Sequence, residues 1–537
     1  MAHPMSMTVA EWIASTCAAQ GVRRAFGVPG GGSCLDLIDA FGRHGIDFVL
    51  CRTETGAVLA AAADAELRHG FGVALATQGP GAACAMNGLA HASLDRAPVL
   101  FISDGWTAQQ RTLDTHQVFD QHAMSAPVVK VQSRLESDDV GAELQAVLRA
   151  MRAAPWGPAH IILTGENARR TVTAQLAPAV TTAPTVQHQG DALALLRAAR
   201  RPVVVVGLEA RDHGAPAAVQ ALVGRLQCPV LTTYKAKGIV SDDAEWTVGH
   251  LTGGAAESDT LAAADLIVFC GLDPVELIGK PWTYPAPVLD IALLRHPVHY
   301  VAPAAAAYGP LAAALEALLP GATRSDWRSA EIVALREAMQ ARLAYPAVAQ
   351  GVTPQSVVQT ALRLAGPLRP QITVDAGAHM FSAMAFWQAQ QPAGALISNG
   401  LATMAYALPA GIASALHAPE RATLVFTGDG GLMMCAGELA AAAQSGARLC
   451  VIVFNDGALS LIALKQRNRQ MGDAGTRLPH ADFASVARGF GLQAFTAHTQ
   501  AEYEHALQQA LAVHGPVLID VRVDPGGYQA QAKALRG

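Results

Sequence analysis

At 537 residues, 51% of them apolar, the chain is too long for one hydrophobic core and suits about three domains. A net charge of −5 without any Lys/Arg run excludes the electrostatic footprint expected of a nucleic-acid or membrane-surface partner. The eight cysteines (Cys17, Cys34, Cys51, Cys84, Cys228, Cys270, Cys435, Cys450) stand singly, without CxxC or metal-ligand spacing, and read as small core residues in a reducing compartment. No apolar stretch approaches the roughly 18 residues that span a bilayer. MAHPMSMTVAEWIAS at the start lacks a basic region followed by an apolar core. A cytoplasmic enzyme with no membrane partner is expected.

In chain order, the first block alternates short apolar runs (FVLC at 48–51, VALAT at 73–77, PVLFIS at 98–103, AHIILT at 159–164) with Ala-rich helical segments. A polar, Pro-containing stretch at 174–190 reads as a linker. The second block opens with a Leu/Ala helix at 191–199 and the strand PVVVVG at 202–207, followed by strand candidates at 229–233 and 265–271. A charged helix then gives way to AYPAVAQGVTP near 350, and the third block carries ITVDAG (372–377), TLVFTGDG (423–430) and LCVIVFND (449–456). Buried strands separated by helices imply crossovers and parallel sheets. The expected fold class is α/β, with three doubly wound parallel-sheet domains at 1–170, 188–330 and 350–537.

The segment TLVFTGDGGLMMCAGELAAAAQSGARLCVIVFNDGALS, 423–460, carries the strongest chemical signal. It reads strand, Gly-Asp-Gly turn, helix beginning near Leu432, strand, Asn-Asp-Gly. Asp429 and Asp456 each follow the carboxyl end of a strand, and adjacent parallel strands would bring the two carboxylates together. Such oxygen ligands suit Mg²⁺, which keeps coordination places for phosphate oxygens and water. Gly428, Gly430 and Gly431 let backbone N–H groups approach a phosphate. Gly-Asp-Gly alone reads as a Gly-rich turn between strand and helix; its pairing with Asn-Asp-Gly points instead to a metal-bridged diphosphate site.

That segment resembles the thiamine-diphosphate motif of the superfamily that includes acetolactate synthase, pyruvate decarboxylase and benzoylformate decarboxylase. The resemblance puts the Mg²⁺ ligands on Asp429, Asp456 and the Ala458 carbonyl, with Asp456 replacing the family's second Asn. It extends to CRTETGAVLAAAADAELRHG, where Glu54 matches the carboxyl that drives the aminopyrimidine to its imino tautomer. Alone, Glu54 reads as a helix N-terminal charge. FGVPGGG at 26–32 matches a cofactor-side turn with Pro29 and Gly30, and TQGPG at 77–81 matches another with Pro80. In SNGLATMAYALPAGIASAL, Ala402 falls where a carbonyl holds the 4′-amino group and Met404 where a side chain wedges between the cofactor rings. His379 matches a diphosphate contact.

The chain resembles the large subunit of acetolactate synthase, with relatives such as benzaldehyde lyase. This resemblance implies a thiamine-diphosphate-dependent decarboxylase/carboligase acting on a 2-keto acid. A non-oxidative decarboxylase or 2-hydroxyketone lyase is the alternative, and a non-catalytic cofactor-binding relative a third. His116 and Gln117 fall beside the substrate, as a proton carrier and a hydrogen-bonding group, or else lie in a surface loop. Gly31 and Gly32 fall where benzaldehyde lyase relatives carry an active-site His. Lys465, where pyruvate-specific synthases carry Trp, meets an additional anionic group or is solvated. A homodimer or homotetramer with active sites shared between subunits is implied, Glu54 and Asp429 of one site coming from different chains. FAD or ADP in the central domain stays open: none of the three blocks contains GxGxxG, and GLDPVEL at 271–277 replaces an Arg-containing turn that resembles a flavin contact.

Overall fold

The computed structural model describes residues 6–173, 185–277, 281–348, 351–479 and 481–536. It contains three main sheets in two compact units. The linker expected at 174–190 falls largely outside the described residues; its described end, Gln187–Gln189, is a short antiparallel edge strand.

The first unit gathers Met1–Thr182 with two later segments, Gly400–Pro419 and Cys435–Ala447. Its sheet is built from β1 (Arg24–Val28), β2 (Asp47–Leu50), β3 (Gly72–Ala76), β4 (Val99–Gly105), β5 (Val131–Ser133) and β6 (Ala159–Thr164). All pair in parallel, in the order β2-β1-β3-β4-β6-β5. The helices Val9–Ala19, Ser33–Arg43 and Val140–Arg152 bury apolar stripes in one core with residues of these strands. Elsewhere the Ala-rich helix Glu54–Arg68, buried without interruption from Gly56 to Glu66, lies against Met86–Leu94 and Ala407–His417. Small side chains let these three helices approach closely, which explains a helix that is apolar almost all round.

The second unit holds two sheets. One comprises β7 (Pro202–Val206), β8 (Val230–Thr232), β9 (Thr247–His250), β10 (Leu266–Cys270), β11 (Val288–Ala292) and β12 (Ala305–Tyr308). These run parallel in the order β9-β8-β7-β10-β11-β12, with Gln187–Gln189 added antiparallel at the β12 edge. The other comprises β13 (Gln371–Val374), β14 (Ala395–Ile397), β15 (Thr423–Gly428), β16 (Leu449–Asn455), β17 (Gln493–Ala497) and β18 (Val517–Arg522), parallel in the order β14-β13-β15-β16-β18-β17. Val203–Val206 and Val451–Val453 are fully buried, as befits strands covered on both faces.

The α/β parallel-sheet class is the one expected. The first and third sheets share one strand order and the middle sheet has another. Inside each sheet the strand order reverses between β1 and β3, β7 and β10, and β13 and β15, and crevices of such sheets open there beyond the strands' carboxyl ends. No described helix is long and apolar enough to cross a membrane.

Candidate functional site

In the first unit, the candidate residues collect at the β1/β3 reversal. Glu54 is the first residue of its helix, and the preceding Thr53 caps it, Oγ1 accepting from Gly56 N at 2.9 Å. Glu54 is half-buried beside the 77–81 turn: a Cβ on Gly81 would fall 3.3 Å from Glu54 Oε1 and 2.8 Å from Thr77 Cγ2. Gly79, at φ +62°, is pressed against Gln117, where a Cβ would come within 2.6 Å of Gln117 Cβ. Glu54, the Pro80 turn and Gln117 are thus neighbours. Gln117 has a left-handed backbone, φ +58°, while His116 is exposed with its N–H donated to Asp114 Oδ1 at 2.8 Å.

The Pro29–Gly32 turn closes the same crevice. A Cβ on Gly30 would fall 2.2 Å from Asp104 Oδ2 and 2.4 Å from Thr77 Oγ1, so only glycine fits; Gly31 and Gly32 are exposed. Asp104, buried at the end of β4, accepts from Ser33 Oγ at 2.7 Å and Cys34 N at 2.8 Å and so fastens the turn. Glu438, 1% exposed, accepts from Arg52 N at 3.0 Å and Thr53 N at 2.9 Å just ahead of Glu54. Neither residue was singled out from the sequence. A carboxylate just past a buried strand was the available signal for Asp104, whereas Glu438 meets groups 385 and 386 positions away and left none.

Ala402 and Met404 also belong to this unit. Ala402 is exposed and Met404 half-buried, and both Ala402 (φ +54°) and Ala405 (φ +68°) are left-handed, a costly conformation for residues with a Cβ. Buried Asp95 accepts from Gly400 N at 3.3 Å and Leu401 N at 3.4 Å, and Asn87 Nδ2 donates to Thr403 Oγ1 at 3.0 Å, holding the bend.

In the second unit, β15 and β16 pair in parallel to their ends, Gly428 opposite Phe454. Asp429 is 4% exposed; its Oδ1 accepts from Gly430 N and its Oδ2 from Gly457 N, each at 2.7 Å. Half-buried Asp456 accepts from Ala458 N at 3.1 Å and Ser460 Oγ at 2.8 Å. Burial raises the Asp429 carboxyl, and burial reinforced by the Asp429 charge pushes Asp456 up to about 7. Two desolvated carboxyls that resist joint ionisation are what a divalent cation relieves. The following helix begins at Asp429 rather than near Leu432, because Asp429 itself bonds the first-turn N–H of Gly430. The Gly430 N–H is therefore already engaged. Gly431 leaves room for buried Asp375, whose Oδ2 lies 2.2 Å from where a Cβ would stand and accepts from Thr427 Oγ1 at 2.9 Å.

His379 fills the space left by two glycines: a Cβ on Gly377 or Gly428 would come within 2.8 or 3.2 Å of its ring. It stacks on Phe454 at 5.1 Å, and burial lowers its pKa to about 4. Its Nε2 is buried with no partner among the described residues. An orphaned polar atom of this kind is costly, and a diphosphate oxygen would satisfy it. Lys465 is exposed on the helix Ser460–Asn468, and Ala458 lies in the loop ahead of that helix. The donor set and the cradle fit Mg²⁺ and a diphosphate.

Three family descriptions match the chain in order: "Thiamine pyrophosphate enzyme, N-terminal TPP binding domain" over residues 7–124, the central domain of the same family over 190–318, and its C-terminal TPP binding domain over 375–521. The chain is 27% identical to an acetolactate synthase of Bacillus subtilis, over 96% of this chain and 93% of that one. It is 29% identical to a pyruvate oxidase of Lactiplantibacillus plantarum (96% and 89% covered). It is 27% identical to a probable 2-ketoarginine decarboxylase of Pseudomonas aeruginosa (96% and 94% covered).

Proposed function

Because this chain belongs to the thiamine pyrophosphate enzyme family, we propose that it cleaves a 2-keto acid next to its carbonyl and ligates the retained fragment to a second carbonyl, as an acetolactate synthase-like decarboxylase/carboligase. It is a thiamine-diphosphate-dependent enzyme of carbon–carbon bond chemistry. The observation that carries the reading is that one chain holds both halves of the required apparatus: Glu54 beside the Gly79–Gly81 turn, and the buried Asp429–Asp456 pair beside the orphaned His379 Nε2.

When bound, thiamine diphosphate supplies an electron sink for the pair left by the departing CO₂. Asp429, Asp456 and the Ala458 carbonyl hold Mg²⁺, and Gly428, Gly431 and His379 receive the diphosphate. Glu54 would hold a proton toward the pyrimidine ring nitrogen, and the Ala402 carbonyl would receive the exocyclic amine. Met404 would pack against the cofactor rings, and Pro29, Gly30 and Pro80 would shape the wall beside them. Gln117 hydrogen-bonds the substrate carbonyl, His116 moves a proton at the mouth, and Gly31, Gly32 and Lys465 border the acceptor. The unpaired state of all eight cysteines supports a cytoplasmic location. Domains at 1–170, 188–330 and 350–537 are part of the proposal, supported by the six parallel strands of one main sheet that fall within each range.

The test is CO₂ release and product identity over a panel of 2-keto acids, with wild type and Glu54→Gln. Wild type should turn over, and the variant should lose about 10²-fold or more in kcat while near-UV circular dichroism still reports bound cofactor. A 2-hydroxyketone product supports ligation; aldehyde alone, with an acceptor aldehyde present, replaces ligation by simple decarboxylation. Wild type that binds no thiamine diphosphate removes the reading altogether.

A further inference from the structure

The middle sheet has the order in which a dinucleotide is ordinarily held: its reversal lies between β7 and β10, and the pyrophosphate would sit on free backbone N–H groups of the turn after β7. Here the turn has none to offer between Gly207 and Ala210. Gly207 N donates to Cys270 O at 2.9 Å, Leu208 N to Glu276 Oε2 at 2.7 Å, Glu209 N to Gly271 O at 2.9 Å and Ala210 N to Gly207 O at 3.0 Å. The space is closed as well. A Cβ on Gly207 would fall 2.4 Å from Gly271 O and from Leu272 Cα, and one on Gly271 would fall 2.5 Å from Ala210 N. The turns that follow β7 and β10 are in contact where a crevice would otherwise open.

Glu276 is the plug. It is 7% exposed, and besides Leu208 N it accepts from Thr233 Oγ1 at 2.5 Å and Asp273 N at 3.3 Å, so one carboxyl gathers the turns following β7, β8 and β10. Next to it, Glu209 accepts from Leu293 N at 2.7 Å and meets His296 Nε2 at 2.9 Å. Glu209, Asp273 and His296 bring ligand-type atoms within 4.8 Å of one another, a set of groups suited to a cation and not to a diphosphate.

We infer that the central domain of this enzyme takes neither FAD nor ADP: the Glu276 side chain stands in for the nucleotide's phosphates and locks the strand ends, so the module is structural. Bound FAD would have to displace a buried carboxyl and pull apart the turns after β7 and β10, which share backbone hydrogen bonds.

The full-length protein, its fold checked by circular dichroism, is titrated separately with FAD and with ADP, followed by flavin fluorescence and calorimetry. Amide hydrogen exchange is measured over 207–210 with and without each ligand. No saturable binding with Kd tighter than about 1 mM, and exchange unchanged by either nucleotide, is the expected result. A saturable site near one ligand per chain, or ligand-induced protection of 207–210, overturns the inference. Thiamine diphosphate with Mg²⁺ is titrated in parallel. Folded protein that takes neither thiamine diphosphate nor a nucleotide sinks the functional reading and leaves this inference standing.

Discussion

Asp456 shows how one residue couples metal, cofactor and stability. Its carboxyl is held at about 7 by burial first and the Asp429 charge second. A carboxyl raised above its unfolded value adds stability while it stays protonated: the contribution is complete below the ordinary value of 3.8 and is lost as pH rises through about 7. The metal-free protein is expected to lose stability across that interval, and Mg²⁺ with thiamine diphosphate to restore it, since a cation favours both ionised carboxylates. Thermal unfolding with EDTA and with Mg²⁺, from about pH 5 to about pH 8, should show a Tm gap that widens with pH. A gap that narrows would argue against the aspartates as the metal site. Asp429 and Asp456 were legible because strand-end carboxylates in one strand-helix-strand unit must converge. Asp375 was not, since its role depends on the empty volume at Gly431, which no spacing encodes.

Elements carry the catalytic groups only as well as they are anchored. The helix Glu54–Arg68 starts under two caps, Thr53 from within and Glu438 from another helix, Glu438–Ser445. Glu438→Ala leaves the Arg52 and Thr53 N–H groups without their acceptor at a buried position, which should cost about 1–3 kcal/mol. Glu438→Gln retains an acceptor oxygen and should cost less. Urea unfolding midpoints are expected to fall in the order wild type, Gln, Ala, with affinity for thiamine diphosphate falling alongside because Glu54 is the next residue after Thr53. An Ala variant as stable as wild type would reduce Glu438 to a bystander. Strands were readable at this scale because buried parallel strands are continuous apolar runs, as in PVVVVG and LCVIVFND. Gln187–Gln189 was not readable: three exposed polar residues at a sheet edge look like a linker.

The whole molecule poses the question of how the two halves of a site are brought together. Parallel sheets were predictable from apolar runs separated by helices, but strand order depends on which crossovers fall on which side, and local pattern is silent on that. We expect a symmetric assembly in which Glu54 of one subunit serves the Asp429–Asp456 pair of another, and complementation decides it. Glu54→Gln and Asp429→Asn homodimers should each be nearly inactive. After dissociation and reassembly as an equal mixture, half of the dimers are hybrids, and each hybrid has one site carrying both lesions and one carrying neither. About a quarter of wild-type activity should therefore return, the value set by twofold symmetry and random pairing. Were each site built within a single chain, every site would keep one lesion and nothing would return. Sedimentation of the mixture, with one variant tagged to count hybrids, ties the recovered activity to the hybrid fraction, so a failure to exchange subunits is told apart from a site that is not shared.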